Sequence, residues 1–505
     1  MKNWIGYSIG LIALGLGSTA QAAGYYFSDI GVRSFSRGGA FVAGNDDLTA
    51  LFYNPAALTR LRRNQVMINV AGVQQSVRFQ RAQTEGAGPL DEDGTPTTVE
   101  FGAIENKAPT FVIPHFGLSS RLGTDNTTFA FGFYPPYAPD LSYDADGPQR
   151  YSLIDVMVIQ TALGPSIAHR VNDWISVGAG VAWNVLLAEQ ELAISVPFHS
   201  SQITSEFIDG EIVSTIGSPT PNEDPSNDVS FKFAASDWKG WSWNAAVMLE
   251  PKDSNWAAAI MVQPPVSFDA EGNMEADFSS HVLHTDGFPA NNPIIASASS
   301  TDPDVRLQIT MPLIVKSGFA FRPGDKTEIE FSAIWQNWSS IQNVTITDLD
   351  LLVDINQDHT LEQVQEMDDV VITDDVVLPA SYQDAWSLRV GGEHDVNSTV
   401  TVRAGTFYET SAIPSKTQSV SLIDGKKIGY GVGGSYRPTE SLSIDFGLSQ
   451  SFLTPTEATN SEVKQISVDA LTGEFLDGTT IANGTYESSV LLMGGGVTYV
   501  FGTAD

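Results

Sequence analysis

One pattern governs what this chain can fold into: from about residue 65 to the C-terminus, apolar and polar residues alternate with a period of two. In Leu442, Ile444, Phe446 and Leu448 against Ser443, Asp445, Gly447 and Ser449, one face is apolar and the other polar or tiny. That is the period of a β-strand whose two faces meet different surroundings. Fourteen such segments read as strands, at 65–79, 109–121, 127–136, 155–169, 174–194, 229–249, 255–268, 305–322, 327–346, 383–394, 399–410, 427–437, 441–452 and 487–501. Their connections alternate in length. Val171-Asn172-Asp173, Pro323-Gly324-Asp325 and Pro438-Thr439-Glu440 are short, whereas 80–108, 195–228, 269–304, 347–382 and 453–486 are long. A soluble sandwich has no reason to sort its loops in this way, but an outer-membrane barrel has short periplasmic turns and long extracellular loops. The fold class is therefore all-β, a 14-stranded antiparallel transmembrane β-barrel.

Composition agrees where it bears on this reading. A length of 505 residues would suit about three ordinary domains, but a single barrel absorbs it. Asp+Glu 60 against Lys+Arg 26 gives a net charge of -34, which draws in no nucleic acid. Cys 0 excludes thiol catalysis and cysteine-ligated zinc. Apart from Trp4, the tryptophans (Trp174, Trp183, Trp238, Trp241, Trp243, Trp256, Trp335, Trp338 and Trp386) lie in or beside the proposed strands, where interfacial girdles would place them.

Lys2, the apolar run from Trp4 to Leu16 and the small-x-small Ala20-Gln21-Ala22 read as a signal peptide over 1–22. The run is too short to span a bilayer. Residues 23–64 do not alternate and are expected to form a hatch inside the lumen of a barrel built by 65–505. Five arginines against three aspartates make this segment basic in an acidic chain.

The residues then resemble a family. Ala23-Gly24-Tyr25-Tyr26-Phe27, Arg37-Gly38-Gly39-Ala40-Phe41 and above all Leu51-Phe52-Tyr53-Asn54-Pro55-Ala56-Ala57-Leu58 resemble the N-terminal hatch of the FadL-like outer-membrane long-chain fatty acid and hydrocarbon transporters. Arg150-Tyr151, Pro312, Trp338-Ser339 and Ser411-Ala412-Ile413-Pro414 are similar to later segments of that family, so the likeness spans the mature chain. It implies a hatch-plugged barrel that takes up hydrophobic molecules passively, with Asn54, Pro55 and Ala56 as the hatch motif. The end of the chain departs from the family, because Gly502-Thr503-Ala504-Asp505 follow the terminal aromatic Phe501 that the barrel assembly machinery would read.

Several residues are candidates for the route. Tyr25, Tyr26 and Phe27 are expected to contact an acyl chain, with Arg150 or a hatch arginine facing a carboxylate and Tyr151 beside Arg150 among the substrate-binding residues. Lumen arginines also pair with lumen carboxylates, which is the competing role. Pro114, Pro135 and Pro136 each remove a ladder donor, and family likeness makes them candidates for a lateral opening in the wall; the alternative is that Pro135 and Pro136 only terminate a strand. Loops 195–228 and 269–304 carry much apolar surface, suited to a capture groove or to packing on each other.

Other motifs carry less. Gly429-x-Gly431-x-x-Gly434 is spelled like a dinucleotide fingerprint, but no helix follows. Asp354, Asn356, Asp358 and Glu362 alternate like ligands of a structural Ca²⁺, with His359 where a calcium loop has glycine. No other cofactor and no enzymatic activity is expected. The reading is a monomeric transporter, set in outer-membrane lipid and lipopolysaccharide, for fatty acids first and aromatic or alkane hydrocarbons second. An outer-membrane lipase and a water-filled porin are the rivals.

Overall fold

The computed structural model describes residues 29–61, 63–84, 88, 97–195, 203–208, 211–216, 223–225, 228–277, 295–300, 305–341, 343–347, 351–356, 370–372, 376–379, 381–468 and 475–502. The signal peptide and Tyr25, Tyr26 and Phe27 lie outside them.

Fourteen antiparallel strands close into a barrel. They are β1 (Asn64–Arg81), β2 (Phe111–Ser120), β3 (Thr127–Tyr137), β4 (Asp155–Arg170), β5 (Ile175–Ser195), β6 (Asp228–Leu249), β7 (Trp256–Gln263, resuming at Val266–Asp277), β8 (Val305–Met311 and Ile314–Gly324), β9 (Thr327–Gln336 and Asn343–Thr347), β10 (Val376–Pro379 and Ala385–Asp395), β11 (Val400–Glu409), β12 (Lys427–Thr439), β13 (Leu442–Leu453) and β14 (Gly484–Phe501). Closure comes from β14, which pairs with β1 along its whole length from Asn64↔Phe501 to Arg81↔Gly484. Closure leaves the sheet without a free edge, which is the condition for crossing lipid with strands.

The sequence-based strand positions hold, but the long loops contain more strand than expected. β7 runs on to Asp277, Ile295–Ser300 pairs with Leu351–Asn356, and Ile203–Ile208 forms a hairpin with Glu211–Ile216.

Four neighbouring strands are broken at one level. β7 stops at Pro264-Pro265, β8 at Pro312-Leu313, β9 at the turn Trp338–Ser340 and β10 between Pro379 and Ala385, while β6 shifts register between Asp237 and Gly240. On the short-turn side of this level the outer face is apolar, as with Trp241, Trp243, Ile260, Phe319 and Phe331, and the inner face carries Asn244, Lys316 and Glu330. On the loop side the faces exchange. Lys232, Asp269, Glu271 and Glu275 point outward, and Phe231, Phe233, Phe268, Leu307 and Ile309 line the lumen. Lipid explains the first outer face, and the aqueous and sugar-rich zone beyond it explains the second.

Tryptophans mark the boundary. Trp183 stands 6.2 Å from Trp238 and Trp335 6.1 Å from Trp386, all facing outward. Trp338 departs from the expected girdle: it is buried, its indole N–H donates to Gln336 Oε1 at 2.8 Å, and its ring meets Tyr382 edge-on. The 3-10 turn that breaks β9 rotates it inward.

Candidate functional site

Residues 29–61 fill the lumen on the short-turn side and are almost wholly buried. Helix α1 (Val32–Phe35) packs against β12, β13 and β14, and helix α2 (Ala50–Tyr53) with the 3-10 helix Pro55–Arg60 packs against β3 to β6, so the segment crosses from one wall to the other. Close approach depends on bare backbone. A Cβ at Gly431 would lie 1.9 Å from the Phe35 carbonyl oxygen, and one at Gly405 2.0 Å from that of Arg37. Of the dinucleotide-like glycine spelling, Gly431 is thus a seat for the hatch, whereas Gly429 meets Phe407 and Gly434 the Thr401 carbonyl of the neighbouring strand.

Asn54, Pro55 and Ala56 form its central turn. The Asn54 side chain donates to the Val42 carbonyl at 2.8 Å and accepts from the Ala56 N–H at 3.1 Å, capping the 3-10 helix that Pro55 begins. Proline suits that first position because its missing N–H would have no intrahelical partner.

Charge fastens this turn to the wall. Arg60 meets Glu250 through two 3.0 Å bonds, and Arg322 joins the same carboxylate at 2.9 Å. Arg37 meets Glu328 at 3.0 Å, Arg33 meets Glu393 at 3.3 Å, and Arg389 of β10 meets Asp29. Glu330 accepts the backbone N–H groups of Val42, Ala43 and Gly44 at 2.6, 3.0 and 2.7 Å. Glu250 lies in the turn after β6. Burial works against its charge, but Arg60 and Arg322 hold its pKa down at about 2.

Beyond the hatch the inner wall is apolar, and the buried cluster runs from Leu51 and Phe52 through Phe231, Phe268 and Ile309 to Trp338, Ile413 and Leu422 among the loops. Neither the inner wall nor the Glu330 cradle was identified from the sequence. The paired prolines at 264–265 and Pro312 were the available signal for the exchange of faces.

Among the described residues, the ladder between β2 and β3 is interrupted beside the hatch. β2 pairs with β1 from Gln65↔Ser119 to Val73↔Phe111, but with β3 only from Ser120↔Phe129 to Phe116↔Phe133. Beyond Phe133, β3 bulges, with Tyr134 opposite Ala162 and Tyr137 opposite Gln160. Pro135 and Pro136 occupy the bulge and supply no N–H. Asn106 bounds the far edge by donating to the Gln75 carbonyl at 2.8 Å and accepting from the Ser142 N–H at 3.0 Å. Pro114, paired with Val70 of β1, faces outward beside this window.

Arg150 and Tyr151 lie on the loop side, buried and already engaged. Arg150 is paired with Asp228 and donates to Tyr151 Oη at 2.7 Å and to the Glu223 carbonyl at 2.7 Å, while Tyr151 donates to Asp228 at 2.7 Å. Burial disfavours the Arg150 charge, yet Tyr151 and Asp228 hold its pKa above the ordinary value. Burial also pushes the Tyr151 hydroxyl well up. Of the expected calcium ligands, Asp354 and Asn356 lie on the extended strand Leu351–Asn356, and Asp358 and Glu362 lie outside the described residues. The side chains of the apolar loop residues in 195–222 also lie outside them.

Comparison with known proteins matches this architecture. The model of the outer membrane protein transport protein family (OMPP1/FadL/TodX) matches residues 13–501. The chain is 23% identical over 452 residues to the long-chain fatty acid transport protein of Escherichia coli O157:H7, covering 87% of this chain and 90% of that one. Its fold is shared with a Pseudomonas aeruginosa FadL homologue (TM-score 0.68, 18% identity, 95% of this chain and 100% of the other). It is also shared with the Ralstonia pickettii toluene transporter TbuX (TM-score 0.58, 15% identity, 94% and 99%). With its closed barrel, plugged lumen and matched sequence, the chain belongs to the OMPP1/FadL/TodX family of outer-membrane transport proteins.

Proposed function

We propose that this protein takes up long-chain fatty acids across the outer membrane by passive diffusion. The observation that carries this reading is the exchange of faces above the strand breaks, which lines the loop-side lumen with Phe231, Phe233, Phe268, Leu307 and Ile309. A water-filled pore has no use for such a lining, whereas each methylene of an acyl chain gains about 0.8 kcal/mol on leaving water for it. The hatch blocks the straight route to the periplasm, and the window between β2 and β3 offers a lateral one into the membrane, bypassing the lipopolysaccharide leaflet.

A second reading, uptake of aromatic hydrocarbons, is favoured by the shared fold with a toluene transporter and needs only the apolar lining. The test is uptake by cells that lack their own transporter and express this chain, with labelled oleate and labelled toluene as the two substrates. Oleate uptake above the empty-vector level supports the first reading. Uptake of toluene alone selects the second, and a large steady ionic conductance in a planar bilayer would replace both with a porin.

A further inference from the structure

We infer that Asn69 and His115 form a hydrogen-bonding subsite for the polar head of the transported amphiphile at the mouth of the lateral window. The inference rests on the transport reading and adds to it a determinant of substrate class.

Asn69 on β1 and His115 on β2 stand directly opposite each other in the ladder. Both point into the lumen, both are at most 5% exposed, and they lie beside a hatch whose neighbouring segment is backbone only at Gly31. Residues directly opposite on one face of a sheet hold their Cβ atoms about 5 Å apart, close enough for both side chains to reach the same group. Their position is specific, because the last rung joining β2 to β3 is Phe116↔Phe133 and His115 is the first residue past it. Tyr134, across the unzipped stretch, presents its ring edge-to-face to the imidazole at 6.5 Å.

The polar atoms here are unspent. Neither ring nitrogen of His115 nor Asn69 Nδ2 has a hydrogen-bond partner among the described residues, although all three are buried. Buried polar groups are nearly always paired, and leaving one unpaired is costly. A neutral imidazole offers one donor and one acceptor, and the Asn69 amide adds a donor. Among the described residues, no charged side chain of the hatch is bonded to either one. That combination fits a hydroxyl or a protonated carboxyl head, which can donate and accept at once, and offers nothing to a bare hydrocarbon. Apolar residues near the window, Ile113 and Tyr134 among them, would accompany the chain behind such a head.

The experiment compares uptake of three probes of equal carbon number, an n-alkanoic acid, the n-alkanol and the n-alkane, by cells expressing the full chain. In His115→Leu the acid-to-alkane and alkanol-to-alkane uptake ratios should each fall about three- to tenfold, the worth of one hydrogen bond, with alkane uptake unchanged. His115→Gln, which keeps a donor and an acceptor, should restore both ratios. Asn69→Val carries the same test from the opposite strand should His115→Leu fail to assemble. Unchanged ratios in an assembled Leu or Val variant overturn the subsite while leaving transport intact. Wild-type cells that take up none of the three probes overturn the transport reading itself. A fall for the acid alone, with the alkanol ratio unchanged, also overturns the inference, since it would mark a response to charge instead of hydrogen bonding.

Discussion

Glu330 on the inner face of β9 holds Val42 of the hatch, accepting its backbone N–H at 2.6 Å and those of the next two residues at 3.0 and 2.7 Å. A single wall carboxylate therefore satisfies three consecutive hatch donors that no helix or strand provides for. Glu330→Ala should leave them unpaired in a buried place and loosen the hatch by several kcal/mol, at about 1.5–3 kcal/mol for each bond to a charged group, with the barrel intact. Limited trypsin digestion checks this, because Arg33 and Arg37 should become cleavable while the unheated band keeps its fast migration. A hatch that stays resistant would show that the ion pairs alone suffice.

Asn54→Ala removes a bond to the Val42 carbonyl and the cap of the 3-10 helix together. The expected loss is about 1–2 kcal/mol of hatch stability. Hydrogen exchange of the hatch amides should quicken in this variant and uptake should change, whereas strand amides of β1 and β14 should remain protected. Unaltered exchange and uptake would remove Asn54 from the mechanism.

The Arg60–Glu250–Arg322 clamp predicts a pH dependence. Glu250 has its pKa lowered from 4.5 to about 2 in the folded protein. Its contribution, about 3 kcal/mol, is therefore fully present above pH 4.5 and is lost as the pH falls towards 2, because only the unfolded form keeps the ordinary affinity for the proton. Melting temperatures of wild type and Glu250→Gln should differ at pH 7 and converge between pH 4.5 and 2. A constant difference across that range would contradict the clamp.

Sealing the window tests the lateral route. Replacing Pro135 and Pro136 with Thr and Val restores two ladder donors on β3, and Pro114→Val a third on β2. If ligand leaves through this stretch, binding to purified protein should persist while cellular uptake falls. Normal transport by the sealed variant would send the ligand past a displaced hatch instead.

The fourteen strands, their antiparallel order and the side on which the loops lie are legible along the chain, because a period of two and the lengths of connections are local properties. Asn54-Pro55-Ala56 is recognisable there as well, since a capped turn opening on proline is written in adjacent residues. Which face each strand presents was decided only by tertiary structure. Phe231, Phe233, Trp241 and Trp243 continue one odd-numbered apolar series, yet the first two line the lumen and the last two face outward. The register shift between Asp237 and Gly240 adds one residue to the strand, and a slip of one residue turns every side chain beyond it to the other face. Arg150 shows the same limit, because its partner Asp228 is 78 residues away and closes on it only when the loops assemble. The pairing of Asn69 with His115 likewise depends on the β1–β2 register, and its isolation from other polar groups on how the hatch packs, neither of which is written in any local stretch of the chain.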